Sequence, residues 1–251
     1  MKKDEVGHHF LARLGKTRLR PGGRRATEWL IQQGHFNAET QVLEVACNMA
    51  TTAVGLATRF GCRIEGIDLD EQALNKAEAN IRRHGLQDKI HVRRANATKL
   101  PFADRTFDVV INEAMLTMLP LEAKRKAVGE YFRVLKPGGV LLTHDVMLTR
   151  DEDSEVLQQL RQAINISVTP LSKPQWLSLF QTCGFSDCES INDSMTLLSP
   201  TGMIYDEGVF GAMKIVGNAL KPQNLPTFKK MFKLFNDPQQ RLNFIAVCSR
   251  K

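Results

Sequence analysis

Two acidic residues sit where short apolar runs end: Glu44 among Val42, Leu43 and Val45, and Asp68 just after Ile64 and Ile67. They lie 24 residues apart, near the roughly 20-residue offset at which a nucleotide-binding fold offers a carboxylate to ribose hydroxyls. Between them, Thr51 to Phe60 has helical spacing and Gly61 is placed to stop that helix, so the stretch reads strand, turn, helix, strand. A carboxylate at a strand end beside a helix start can accept hydrogen bonds from a ribose or attract an ammonium group. The turn, Ala46, Cys47, Asn48, Met49 and Ala50, holds small residues but no glycine, although glycine normally lets backbone approach a nucleotide. Alanine fits such a turn if φ stays negative at Ala46 and Ala50, whereas Asn48 tolerates a left-handed conformation.

The elements that position these residues continue down the chain. Asp70 is placed as the N-cap of a helix carrying Ala73, Leu74, Ala77 and Ile81 on one face, with Gly85 just past its end. Strands follow at Ile90 to Ala95 and Phe107 to Ile111, and a helix over Leu121 to Leu135 is broken by Lys136-Pro137-Gly138-Gly139 before a strand at Val140 to Asp145. Helices near Asp151 to Asn165 and Pro174 to Cys183, a strand at Ser186 to Ile191 and a last strand at Asn243 to Ser249 complete the pattern. Alternation of Phe244, Ala246 and Cys248 suggests that the last strand is half-buried. Alternating strand and helix predicts an α/β fold, a doubly wound, mostly parallel sheet, in one domain over residues 1–251. A helical segment, 1–35, leads into it, and a strand-poor insert, 194–240, precedes the last strand as a lid-like element. Asn112, Glu113, His144 and Asp145 then fall at the strand-end rim where such sheets bind ligands. His144 and Glu113 are the candidates for acid–base work, with His144 also able to touch a substrate.

Composition narrows the function classes. With 251 residues and 43% hydrophobic content the chain can bury a large core. No apolar run reaches the roughly 18 residues of a membrane span, and the basic, polar start does not read as an export signal, so a cytoplasmic protein without membrane insertion is expected. Five scattered cysteines, Cys47, Cys62, Cys183, Cys188 and Cys248, lack metal-type spacing and read as reduced packing thiols. His8 and His9 diverge on a helix and have no evident third ligand, so no metal is expected. The formal charge of +7 belongs to the ends: residues 1–25 carry eight Lys/Arg against two acids, residues 214–251 eight against one, and the stretch between is acidic. The ends are either solvated or border a site that attracts an anion, and Arg20, Arg24 and Arg25 are placed to hold one.

The order of motifs resembles the class I S-adenosylmethionine-dependent methyltransferases, over roughly residues 20–190 plus the final strand. VLEVACNMATTA is similar to that family's first motif, GIDLDEQAL to its second, RRANATKLPFADRTFDVV to the segment from the adenine contact into strand four, and LKPGGVLL to the turn into strand five. RPGGRRATEWLI resembles the helix leading into the sheet of small-molecule members. The departures are Ala46, Asn48 and Ala50 for three glycines, and Asn96 for the usual aspartate. The resemblance implies a seven-stranded Rossmann-like sheet and S-adenosylmethionine as cofactor, with S-adenosylhomocysteine as product. It implies that Glu44, Ala46, Cys47, Asn48, Ala50, Asp68, Leu69, Asn96, Ala97 and Asn112 line the cofactor. Glu44 would receive its amino group, Asp68 its ribose and Asn96 its adenine edge.

The reaction implied is in-line attack of an acceptor on the methyl group, with positioning supplying most of the catalysis. The acceptor expected is a small organic molecule, anionic if Arg20 and Arg24 face it. Docking of a nucleic acid or protein on the basic ends is the alternative, although Asn112-Glu113-Ala114-Met115 lacks the paired prolines and aromatic with which base-methylating relatives grip a base. A non-catalytic member of the fold is the third reading, suggested by the missing glycines.

Overall fold

The computed structural model describes residues 5–151 and 153–251. Two helices lead in, α1 (Gly7–Leu14) and α2 (Gly23–Gln33), followed by β1 (Gln41–Val45), α3 (Thr51–Phe60), β2 (Arg63–Asp68), α4 (Glu71–Arg83), β3 (Ile90–Arg94) and β4 (Phe107–Glu113). After a 3₁₀ turn at Leu116–Met118 come α5 (Leu121–Val134), β5 (Leu135–Leu148), α6 (Ser154–Ile164), the two-residue β6 (Leu171–Ser172), α7 (Lys173–Thr182) and β7 (Asp187–Ser194). The chain closes with α8 (Pro200–Ala219), α9 (Leu225–Phe235) and β8 (Leu242–Arg250).

The main path of the sheet runs β3-β2-β1-β4-β5-β8-β7, with β6 added beside β5. Every pairing from β3 to β5 is parallel, and β8 alone runs antiparallel, to both its neighbours. The strand order reverses direction between β1 and β4, which puts the topological switch point between Val45 and its partner Asn112. Alternate residues feed opposite faces. Val42, Ile64, Val109, Ile111 and Leu142 pack under α2, α3 and α4, while Leu43, Val45, Ile67, Val110 and Leu141 pack against α5 and α7.

Local signals set many of these boundaries. The Asp70 side chain accepts from Gln72 N at the start of α4, and Gly61 and Gly85 take left-handed conformations just past α3 and α4. Two expectations change. The Lys136–Gly139 run does not separate helix from strand; β5 begins at Leu135, opposite Phe107, and carries an irregularity in register before Val140. The last strand is buried on both faces, not one: Phe244, Ala246 and Cys248 join the α2–α3 side, and Ile245 and Val247 the other. Alternation of large and small apolar residues resembles alternation of apolar and polar ones when only one face is counted.

The lead-in and the insert share a third core. Phe10, Leu11 and Leu14 of α1 pack with Val156 and Leu160 of α6, Met203 and Ile215 of α8, and Met231 and Phe235 of α9. Lys16, fully buried, reaches Asp206 Oδ2 at 3.3 Å and Glu207 Oε1 at 3.6 Å. Glu207 also accepts from Thr17 N, Thr17 Oγ1 and Arg18 N. The insert is therefore pinned to the lead-in by buried charge and a shared core, unlike a lid hinged at its two ends.

Candidate active site

The turn after β1 departs from its sequence reading. Ala46, Asn48 and Ala50 all have positive φ, at 57°, 48° and 53°. The left-handed turn that three glycines would make freely is made here by two alanines and an asparagine, at a cost of roughly 1–2 kcal/mol per alanine. Hydrogen bonds hold it: Cys47 N donates to Ile67 O at 3.0 Å and Ala50 N to Cys47 O at 2.7 Å. Asn48 N donates to Asp68 Oδ2 at 2.9 Å, while Asp68 Oδ1 accepts from Asp70 N at 3.0 Å. Asp68 is thus clamped at the turn's mouth. Cys47 and Ala50 turn their side chains into the protein. A Cβ at Gly66 would lie 3.0 Å from Val92 Cγ1 and 3.1 Å from Cys47 Sγ, so Gly66 leaves the room that the inward Cys47 side chain occupies.

Around Asp68, Leu69 is 59% exposed and Ala97 half-buried. Asn96 is exposed, and its side-chain oxygen already accepts from Thr98 N and Thr98 Oγ1, both at 2.9 Å. Asn112 lies deeper than a rim residue: it is fully buried, donates to Thr143 Oγ1 at 3.1 Å, and leaves its Oδ1 unpartnered. Glu44 is buried beneath the start of α3 and accepts from Ala53 N at 3.1 Å. Burial, with the nearby Glu113 charge, pushes its pKa up to about 8.

Glu113 is the centre of a buried network. Arg20 Nε donates to its Oε2 at 3.2 Å, Thr52 Oγ1 to the same oxygen at 3.1 Å, and Thr27 Oγ1 to Oε1 at 3.2 Å. His144 lies opposite in the sheet register, with Nδ1 3.5 Å from Oε1. Burial alone would raise the pKa of Glu113, but the Arg20 charge and the bonds from His144 and Thr52 outweigh it and hold the carboxyl far below the usual range. Gly22 N donates to His144 Nε2 at 2.8 Å. Nε2 is then an acceptor and Nδ1 carries the hydrogen toward Glu113, which is a neutral imidazole.

These contacts correct two expectations. His144 is completely buried with both ring nitrogens engaged, and Glu113 is saturated by donors, so neither presents a group to a ligand at the rim. Arg20 is spent on Glu113 and on Thr52 Oγ1. Arg24 is 67% exposed beside Glu28, and Arg25 pairs with Asp193. The nominated arginines therefore do not converge on an anion. Most of the N-terminal charge is paired likewise, since Arg13 meets Glu5 and Lys16 meets Asp206.

A cleft opens beside the ends of β4 and β5. Its walls are apolar, with Leu11 and Leu19 from the lead-in, Met118, Leu160 of α6, Met195, and Phe235 of α9. Its polar groups are Thr117, Asp145 and His8. Asp145 is fully buried and accepts from Thr117 N at 3.1 Å and Val146 N at 2.8 Å, and burial raises its pKa. His8 Nδ1 is buried without a partner. Burial, helped by His9, lowers its pKa, against the opposing pull of Asp68 and Asp70. His8 thus lines the cleft with an unpartnered ring nitrogen. The sequence offered it only as half of a failed metal pair; the usable signal was its place beside Gly7, Phe10 and Leu11 on the inward face of α1.

Residues 42–139 match the methyltransferase domain family, and they contain the β1 turn, Asp68, Asn96 and Glu113 described above. Residues 42–139 of this chain thus form a methyltransferase domain. It is 65% identical over its full 251 residues, and over the full length of the relative, to an uncharacterized protein of Haemophilus influenzae. It is 32% identical to the methyltransferase GfsG of Streptomyces halstedii over 130 residues, which are 52% of this chain and 46% of that one. The chain thus spans about half the length of that named relative. Its fold is shared with phosphoethanolamine N-methyltransferase 2 of Haemonchus contortus, solved with phosphomonomethylethanolamine and S-adenosylhomocysteine. That match has a TM-score of 0.78 at 19% identity and covers 100% of this chain and 59% of the other.

Proposed function

We propose that this methyltransferase uses S-adenosylmethionine to methylate a small, largely apolar organic molecule held in the cleft beside β4 and β5. The observation that carries this reading is the lining of that cleft, aliphatic and aromatic except for Thr117, Asp145 and His8 and without a lysine or arginine. An anionic acceptor would leave its charge there uncompensated.

The residues around the turn suit the cofactor. Asp68 has acceptor capacity left for ribose hydroxyls, Leu69 offers exposed apolar surface to a base, and the Asn112 oxygen awaits a donor. An ammonium group near Glu44 would favour the charged form of a carboxyl that burial and the Glu113 charge push toward its neutral form. Bound S-adenosylmethionine supplies a methyl group on a positively charged sulfur, which takes the electrons of the broken bond when a nucleophile attacks. His8, which lines the cleft and leaves its buried Nδ1 without a partner, is the group that would accept the acceptor's proton. Asp145 orients the acceptor's polar end, and the apolar walls exclude water. Glu113, His144 and Arg20 hold α2 and the rim in place.

The test is transfer of labelled methyl from S-adenosylmethionine to paired acceptors that share a carbon skeleton and differ by a carboxylate. Label should enter the uncharged members; preference for the carboxylates would overturn the apolar reading. The non-catalytic reading draws on the three positive-φ residues of the turn. Failure of the folded protein to bind S-adenosylhomocysteine in calorimetry would favour it over transfer.

A further inference from the structure

Helix α8 carries apolar side chains on two faces. Met203 and Ile215 pack inward, and its two acids, Asp206 and Glu207, are also turned inward onto Lys16, Thr17 and Arg18, while a second set of large apolar side chains faces solvent. Tyr205 is 70% exposed and Phe210 84%, and Ile204, Val209, Met213, Val216 and Leu220 are exposed beside them. At Gly208, φ 73° and ψ 171° break the helix between the buried acids and the Val209–Leu220 stretch. Val209, Met213, Val216 and Leu220 recur at helical spacing after the break, so they form one strip. A soluble surface helix would turn its acids, not this second apolar set, toward solvent.

The exposed charge of α8 and α9 has one sign. Lys214 on α8 and Lys221 just beyond it are exposed, as are Lys229, Lys230 and Lys233 on α9. From 195 to 236 there is no acid other than Asp206 and Glu207, and the ion pairs above withdraw both of these. An apolar helical face whose own exposed charges are cations matches an anionic phospholipid surface, where apolar side chains enter the acyl boundary and lysines meet headgroups. A second copy of the chain fits less well, because a two-fold contact through α8 would set this lysine set against itself. No helix among the described residues is long and apolar enough to cross a membrane, so contact of this kind is peripheral.

We propose that the outer face of α8, from Tyr205 to Leu220, docks the protein on an anionic bilayer, with Lys214 and Lys221 at the headgroups. This inference stands apart from the choice of methyl acceptor. α9 contributes Phe235 to the cleft and follows α8 directly, so docking would bring the cleft close to a reservoir of apolar molecules.

The test is co-sedimentation of the full chain with vesicles of phosphatidylcholine alone, or with about 30 mol% phosphatidylglycerol, in low salt and in about 0.5 M salt. Binding is expected to the anionic vesicles only and to weaken with salt. Phe210→Glu should cut it at least about tenfold, and Lys214→Glu with Lys221→Glu about fivefold per residue. Both variants change exposed side chains, so unchanged thermal unfolding and S-adenosylhomocysteine binding would separate loss of docking from loss of fold. The proposal is overturned if anionic vesicles do not bind, if neutral vesicles bind equally, or if Phe210→Glu leaves binding intact. It is also overturned if sedimentation shows a dimer that Phe210→Glu dissociates while vesicles are ignored.

Discussion

The molecule solves two tight turns at its rim in opposite ways. After β1, where three glycines are expected, Ala46, Asn48 and Ala50 adopt left-handed conformations without them. Before α2, two glycines are required by packing. A Cβ on Gly22 would come within 2.4 Å of the Phe244 ring, and one on Gly23, which has φ 55°, within 2.7 Å of Thr196 Oγ1. A positive φ costs an alanine a modest, local energy that hydrogen bonds can offset. An atom placed inside a phenylalanine ring has no such remedy without moving the strand. Glycine is dispensable where only dihedral freedom is at stake and indispensable where another side chain already fills the volume.

The largest effect is expected at the carboxylate on which the glycine pair depends. Glu113→Gln would leave Arg20 buried without its counter-charge, lowering stability by about 3–5 kcal/mol in urea unfolding. A loss under 1 kcal/mol would mean that the network is incidental. Next, Gly22→Ala should cost about 2–3 kcal/mol by overpacking against Phe244, and Phe244→Leu in the same chain should recover part of it. Absence of any recovery would place the requirement in the backbone instead, making the two turns alike. On the other side of the comparison, Asp68→Ala should weaken S-adenosylhomocysteine binding by about 1.5–3 kcal/mol in calorimetry, because it removes both the clamp on Asn48 N and the ribose acceptor.

Glu44 gives a pH test of the same turn. Its folded pKa of about 8 lies above the roughly 4.3 of an unfolded glutamate, so the native state holds the extra proton between those values. The stability it contributes is therefore fully present below about pH 4.3 and is lost as pH rises toward 8. Wild type should lose stability relative to Glu44→Gln over that window. Binding of a cofactor ammonium at pH 7 should release protons, seen as buffer-dependent calorimetric heat that Glu44→Gln abolishes. The smallest effect is expected from Ala46→Gly and Ala50→Gly. Relief of about 1–2 kcal/mol of strain exceeds the roughly 0.4–1 kcal/mol lost through a freer unfolded chain, so each should stabilise slightly. A loss of stability at either position would contradict strain at the turn.

Much of the fold was legible because its signals are local. Strand-ending acids, the Asp70 cap and the stops at Gly61 and Gly85 are all written within a few residues of the feature they create. Asp68, the acid that clamps the β1 turn, could be located for the same reason, at the end of an apolar run one helix after the turn. The acceptor side was not legible. His144 reads as a base until Gly22, 122 residues away, is found on its Nε2. Arg20 reads as an anion holder until Glu113, 93 residues on, takes its Nε. His8 reads only as half of a failed metal pair until the fold places it on the cleft.

The sequence by itself determined the order of strands and helices, the doubly wound sheet and the place of its switch point, since hydrophobic period and capping act over short distances. Tertiary structure alone decided which carboxylate is ionised and which keeps its proton, whether His144 is free or engaged, and which face α8 shows to solvent. Those outcomes depend on groups brought together from distant parts of the chain, as Lys16 and Asp206 are across 190 residues. Burial and charge act through space, and neither leaves a mark on spacing along the chain.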